Sequence, residues 1–179
     1  MALDNYKAEY RELQKELARE FIQSPRKVLK LLLKRSKAID ALLKRIWADQ
    51  SFDRKITLVA VGGYGREELH LHSDIDIMIL IPNRSYSKYE EKISNFLTFL
   101  WDVGIEIGHS TRDLSDCIVA MSDLSIATNI MESRFICGSK VLFEKMYKSL
   151  QLSGWSDQSF FIAKKKEQEN RHQDRKSVV

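Results

Sequence analysis

Gly62-Gly63-Tyr64-Gly65-Arg66 and, separated from Gly63 by ten residues, Asp74-Ile75-Asp76-Ile77-Met78-Ile79-Leu80-Ile81 decide how this 179-residue chain is read. Ahead of the glycines, Ile56 to Val61 is a short run of β-forming residues. It reads as a buried strand with a sharp exit. Asp74 to Ile81 reads as a second strand, closed by Pro82 and Asn83. Strand side chains alternate, so Asp74 and Asp76 point to one face with Cα atoms roughly 6.5–7 Å apart. Ile75, Ile77, Ile79 and Ile81 fill the opposite face and fix the register.

Two carboxylates so close share or bridge divalent cations, whereas unpaired in a core they would be costly. Gly62 and Gly63 turn the chain without a Cβ, which lets backbone N–H groups approach a phosphate. A helix starting there adds a favourable dipole. The two elements supply what nucleotidyl transfer needs: a grip on the β- and γ-phosphates, and a metal at the reacting α-phosphate. One carboxylate also serves to deprotonate the incoming hydroxyl. An isolated Gly-Gly or Asp-x-Asp carries little weight; joined at this spacing between strands, the pattern is specific.

Residues 4 to 22 predict a helix with Tyr6, Tyr10, Leu13, Leu17 and Phe21 on one stripe. Ser24-Pro25 predicts an N-cap and first turn for a second helix running to about Asp49. Between Pro25 and Arg45 eight Lys or Arg face the single Asp40; a solvated helix face is the expected reading, ahead of a phosphate-binding surface. Ser87 to Glu90 has capping-box spacing, opening a helix to near Gly104. Ile105 to Ser110 predicts a third strand, and the chain after Thr111 reads as helical with breaks at Ser122 and Gly138. A last helix is expected from about Asp157. The fold class expected is α+β: a small mixed-sheet core between helical flanks. Its parts are a helical segment at 1–50, the core with following helices at 51–150, and a helical tail at 151–179.

Hydrophobic residues make up 44% and charged residues 30%, the balance of an ordinary globular protein. The start lacks an apolar signal segment, and the longest apolar run is too short to cross a bilayer, so a cytoplasmic location is expected. Cys117 and Cys137 lie far apart and read as free buried thiols in a reducing compartment. The net charge of +4 admits nucleotide partners without demanding nucleic acid, which is not the expected partner.

The glycine and aspartate pattern resembles the DNA polymerase β-like nucleotidyltransferase superfamily. The resemblance narrows with Leu100 to Ser110, Ser122 to Arg134, and the tail Glu167 to His172. With these the chain looks like the bacterial PII-protein uridylyltransferase/uridylyl-removing family over nearly its whole length, most strongly at residues 59–138. The resemblance implies transfer of UMP from UTP to a tyrosine hydroxyl of the PII nitrogen-signalling protein, with Mg²⁺ as cofactor and Mn²⁺ as a possible substitute. Family members continue into an HD hydrolase domain and two ACT domains, so this chain is expected to be part of a longer enzyme. An adenylyltransferase of the same superfamily and an idle nucleotide-binding module are the rival readings.

The expected catalytic residues are Asp74, Asp76 and Glu106, with Asp74 and Asp76 as metal ligands. The nucleotide-binding set is Gly62, Gly63, Arg66 and Ser73. Glu106 stands in for the third acid that many superfamily members carry on this strand, with an outward-pointing charge as the alternative. Glu67 departs from the small residue expected after Arg66. Pairing with Glu67 or Glu68 is the alternative for Arg66. His70, His72 and His109 lack metal-ligand spacing. Asp123, Asn129, Glu132 and Arg134 fall on a predicted helix and are expected in salt bridges ahead of nucleotide contacts. Phe96, Phe99 and Trp101 are expected in the core.

Overall fold

The computed structural model of the chain describes residues 2–152 and Lys165. The helix expected from Asp157 lies outside the described residues, as does the tail Glu167 to His172. Helix α1 (Ala2–Gln23) is followed by a 3-10 turn at Pro25–Lys27 and α2 (Val28–Asp49). Then come β1 (Thr57–Ala60), a single helical turn α3 (Gly62–Gly65), β2 (Ile75–Leu80) and α4 (Tyr86–Val103). The order ends with β3 (Ile107–Arg112), α5 (Leu114–Ala120), α6 (Leu124–Met131), β4 (Arg134–Gly138) and α7 (Lys140–Leu152).

The sheet is mixed, in the order β3-β2-β1-β4. β1 runs antiparallel to both β2 and β4, and β2 runs parallel to β3 through the α4 crossover. The alternation read from β2 holds. Ile75, Ile77, Ile79 and Ile81 join one buried cluster with Ile39, Leu43 and Ile46 of α2 and Phe96 and Leu100 of α4. Met78 and Leu80 face the other way, into a second cluster with Cys117 of α5, Ala127 and Ile130 of α6, and Met146 of α7. The fold is therefore α+β with helices on both faces of the sheet. No described helix is long and apolar enough to cross a membrane.

Several boundaries move, and one element is new. β4 falls where the sequence reads as helix. Its five residues show no clear period of two, and their partner is β1, with Ala60 against Arg134 and Thr57 against Gly138. A strand held by pairing so far along the chain leaves little local signal. The capping box at Ser87 does not form: α4 begins at Tyr86 with Ser85 at its cap and no side-chain cap bond. The phenol of Tyr86 instead anchors this turn, donating to Asp116 and accepting from the Asp113 N–H at 3.1 Å. Ser24 likewise makes no side-chain cap bond. β3 starts two residues later than expected and ends at Arg112.

Two burial expectations are corrected. Phe96 is buried and Phe99 packs at the core's edge, but Trp101 is 51% exposed, edge-on to His109 at 5.7 Å. The apolar stripe of α4 centres on Ile93, Phe96, Leu100 and Val103, which leaves Trp101 on its flank. The basic run of α2 is mostly exposed, yet Arg35 is only 2% exposed. Cys117 is buried and Cys137 half-buried, both free, and burial pushes both thiols up to about 12.

Candidate active site: a glycine bend against two aspartates

At the end of β1 the backbone stays extended through Val61, whose N–H donates to the Asp76 carbonyl at 3.1 Å. Gly62 then turns into left-handed space at φ +57, a conformation other L-residues adopt only at a cost. A Cβ on Gly62 would lie 3.4 Å from Asp76 Oδ2 and 3.5 Å from Asn129 Oδ1. The bend therefore lies directly against the β2 carboxylate. One helical turn closes behind it through Gly65 N–H to Val61 O at 3.0 Å and Arg66 N–H to Gly62 O at 3.2 Å. The first N–H groups of such a turn have no partner within it, and so are available to an anion. Glu67, where the sequence calls for a small residue, sits at φ +62, the conformation glycine would take without strain.

The turn is held from behind by three side chains. Tyr64 is buried and donates its hydroxyl to Asp40 Oδ1 of α2 at 2.5 Å. Arg134, the first residue of β4, forks onto the same carboxylate at 2.5 and 3.0 Å and reaches the Tyr64 carbonyl at 3.3 Å. Burial first, then the Asp40 charge, raises the Tyr64 phenol far above its ordinary range, so it stays a neutral donor. Gly65 meets the Glu132 carbonyl so closely that an added Cβ would come within 2.3 Å of that oxygen and 3.1 Å of the Ala60 carbonyl. Neither backbone oxygen can swing aside. Gly65→Ala is expected to cost about 2–3 kcal/mol of stability by overpacking, read as a lowered denaturant midpoint at unchanged slope. A wild-type midpoint would show that the turn relaxes freely.

Asp76 is half-buried on β2, and Asp74 is exposed one residue before the strand begins. The Asp76 carboxyl is raised above the usual carboxylate range, first by burial and second by the negative charge of Asp74. That repulsion places the two acids within electrostatic reach of each other. Gly108 of β3 stands opposite Asp76 in the parallel register. A Cβ there would come within 2.2 Å of Asp76 Oδ1. Gly108 thus leaves the space that the carboxylate occupies. A cleft of about 340 Å³ opens from Asp76 along β3 to Arg112, roofed by α6, with Ser110, Ile126 and Asn129 on its walls.

The two acids suit a divalent cation. Among the described residues no group of three or more His, Cys, Asp or Glu forms a self-sufficient cage. Mg²⁺ is characteristically held by one or two carboxylates plus substrate phosphates and water, and tolerates an incomplete protein shell. A raised, half-buried carboxyl beside a second negative charge is the electrostatic state that a cation relieves.

The remaining expected residues are distributed as follows. Arg66 is engaged by Glu68 at 2.8 Å and by Glu132. Ser73 and Glu106 line a separate cavity beside α1 and α2, so neither is brought to the cleft that Asp76 lines. Glu106 is exposed, and its carbonyl accepts the Ile75 N–H at 2.9 Å. His70, His72 and His109 are exposed. Asp123 caps α6, accepting from the N–H groups of Ser125 and Ile126 at 2.9 and 3.1 Å. Arg134 and Glu132 are in salt bridges, as the sequence implied, whereas Asn129 faces the cleft. Sequence reasoning missed the spacing roles of Gly65 and Gly108 and the opening of the cleft toward Ser110 and Arg112. Gly108 carried a usable signal, as a glycine within a predicted strand marks close approach of another group.

Comparison with known proteins agrees with this geometry. The nucleotidyltransferase domain family matches residues 39–134, which run from α2 through the aspartates to the start of β4. Three similar relatives each bear the name bifunctional uridylyltransferase/uridylyl-removing enzyme. That of Vibrio campbellii is 45% identical over 157 residues, covering 86% of this chain and 18% of the relative. That of Pseudomonas aeruginosa is 40% identical over 174 residues, covering 93% of this chain and 19% of the relative. That of Photobacterium profundum is 42% identical over 174 residues, covering 95% and 20% respectively. The chain thus spans about a fifth of the length of these relatives, and the likeness read from its motifs is borne out. A glycine bend pressed against an Asp-x-Asp strand, in a chain matched over more than half its length, places this protein in the nucleotidyltransferase domain family.

Proposed function

We propose that this chain is the nucleotidyl-transferring part of a uridylyltransferase, moving UMP from UTP to a tyrosine hydroxyl of the PII signalling protein. The observation that carries the reading is the 3.4 Å approach of the Gly62 bend to the Asp76 carboxylate. It supports a triphosphate site next to a metal site. The name the relatives share supports the uridylyl group.

In this reading Asp74 and Asp76 hold Mg²⁺, with Mn²⁺ able to replace it. Held there, the metal would supply charge neutralisation for the phosphates and for the attacking and leaving oxygens. Gly62 and Gly63 present backbone N–H groups to the β- and γ-phosphates, and the Asp40–Tyr64–Arg134 cluster keeps their turn in place. The acceptor oxygen bonds to the α-phosphorus, pyrophosphate leaves, and a β2 carboxylate takes the hydroxyl proton. Asn129 and Ser110 supply polar groups along the cleft for the nucleoside. Arg66 stands ready to exchange a carboxylate partner for a phosphate, and Ser73 orients the loop ahead of Asp74. Glu106, one residue ahead of the first pair of the β2–β3 ladder, lines the other cavity and has no part in the transfer in this reading.

The test is to incubate the chain with PII protein, Mg²⁺ and each of the four NTPs in turn, then weigh PII intact. A gain of one UMP per PII subunit with UTP alone is the expected result. A gain of AMP instead would replace the base assignment, and no gain with any NTP would remove the activity from this chain.

A further inference from the structure

Arg35 of α2 is a buried cation with no counter-charge among the described residues. It donates to the backbone carbonyl of His70 and lies against the phenol of Tyr10, both neutral groups. Its Nε has no hydrogen-bond partner. None of the ion pairs among the described residues includes it. Burial lowers its pKa, an effect the Tyr10 phenol only partly opposes. A buried charge met only by dipoles is costly, and proteins ordinarily resolve that cost with a carboxylate. Here the chain leaves a space. Arg35 forms part of the wall of a cavity of about 510 Å³ between α1, α2 and the loop that leads into Asp74.

The rest of the wall suits an anion. Gln14, Lys15, His72 and Ser73 contribute donors. Among the described residues Glu106 is the one carboxylate on the wall, and no ion pair joins it to Arg35. The volume falls within the range of small-molecule sites, roughly 300–1,000 Å³. A guanidinium offers its N–H fork to carboxylate and phosphate alike.

We propose that this cavity binds a small metabolite through an oxyanion, a phosphate or a carboxylate, seated on Arg35. The site is separate from the glycine bend and lies behind the loop that carries Asp74.

The test is ¹⁵N-edited NMR of the arginine Nε–H groups in the whole chain, without divalent metal and at fixed ionic strength. Inorganic phosphate and succinate are titrated separately. The Arg35 Nε–H signal, identified by its loss in Arg35→Lys, is expected to shift saturably with at least one of them. A response to phosphate alone assigns a phosphate ligand, and a response to succinate alone assigns a carboxylate. A signal that stays still, or drifts linearly with both, overturns the proposal, even if either anion shifts residues of the glycine bend.

Gln14→Glu keeps the test intact if Arg35→Lys fails to fold. Gln14 donates to the Tyr10 hydroxyl at 2.5 Å, so a carboxylate there adds an internal counter-charge beside the guanidinium. The saturable shift should then vanish while the melting temperature of the ligand-free chain rises by a few degrees. Retained binding with an unchanged melting temperature would show that Arg35 needs no anion.

Discussion

Asp76→Asn is expected to reduce nucleotidyl transfer by at least about a thousandfold, which corresponds to roughly 4 kcal/mol of transition-state stabilisation. It should do so without destabilising the metal-free fold. The side chain keeps its shape but loses the charge that a divalent cation requires, while the folded protein loses a half-buried negative group next to Asp74. The folded carboxyl holds its proton more tightly than the unfolded one, so the folded state binds more protons across that interval. Wild-type stability without metal therefore declines as pH rises from the ordinary carboxylate value through the raised one, and is level above it with respect to this group. Asp76→Asn removes that decline. Thermal melts of both proteins between pH 4 and 8, with and without Mg²⁺, check it: wild type should gain stability from Mg²⁺ and the variant should not. Substantial transfer by the variant, or an equal response of both to Mg²⁺, contradicts the assignment.

Gly108→Ala carries the second large effect, and it separates geometry from charge. The added methyl group would sit 2.2 Å from Asp76 Oδ1, so the carboxylate must swing away. What moves is the end of a side chain, unlike the backbone oxygens facing Gly65, so the fold should tolerate the change to within about 1 kcal/mol. Activity should not. Displacing a metal-holding group by about 1 Å costs on the order of a hundredfold in rate. The expected outcome is a loss of that size in transfer, with a melting temperature close to wild type and a higher Mg²⁺ requirement. Full activity in Gly108→Ala would mean that Asp76 works from another position than the one it occupies beside β3.

The centre of this fold was legible because its signals are local. Glycines at a strand exit, and acids alternating with isoleucines, both follow from backbone geometry over a few residues, and the structure keeps the isoleucine face where the alternation puts it. β4 was not legible, since its five residues gain their conformation from β1, more than seventy positions earlier. Asp40 and Arg134, 94 positions apart, meet only once β4 exists, so the cluster behind Tyr64 had no sequence signature beyond a lone acid in a basic helix. Arg35 was read as part of a charged surface because its burial depends on α1 and the His70 loop closing over it. Glu106 shows the limit of reasoning by strand position: parity is readable from sequence, but the cavity a side chain lines is set by the helices packed around it.

A crystal structure of the chain with Mn²⁺ and a non-hydrolysable UTP analogue, with anomalous scattering to locate the metal, decides where metal and triphosphate sit. Mn²⁺ is expected to be held by the carboxylates of both Asp74 and Asp76, with the triphosphate against the N–H groups of Gly62 and Gly63. Metal seated elsewhere, or the triphosphate away from the glycine bend, would contradict it.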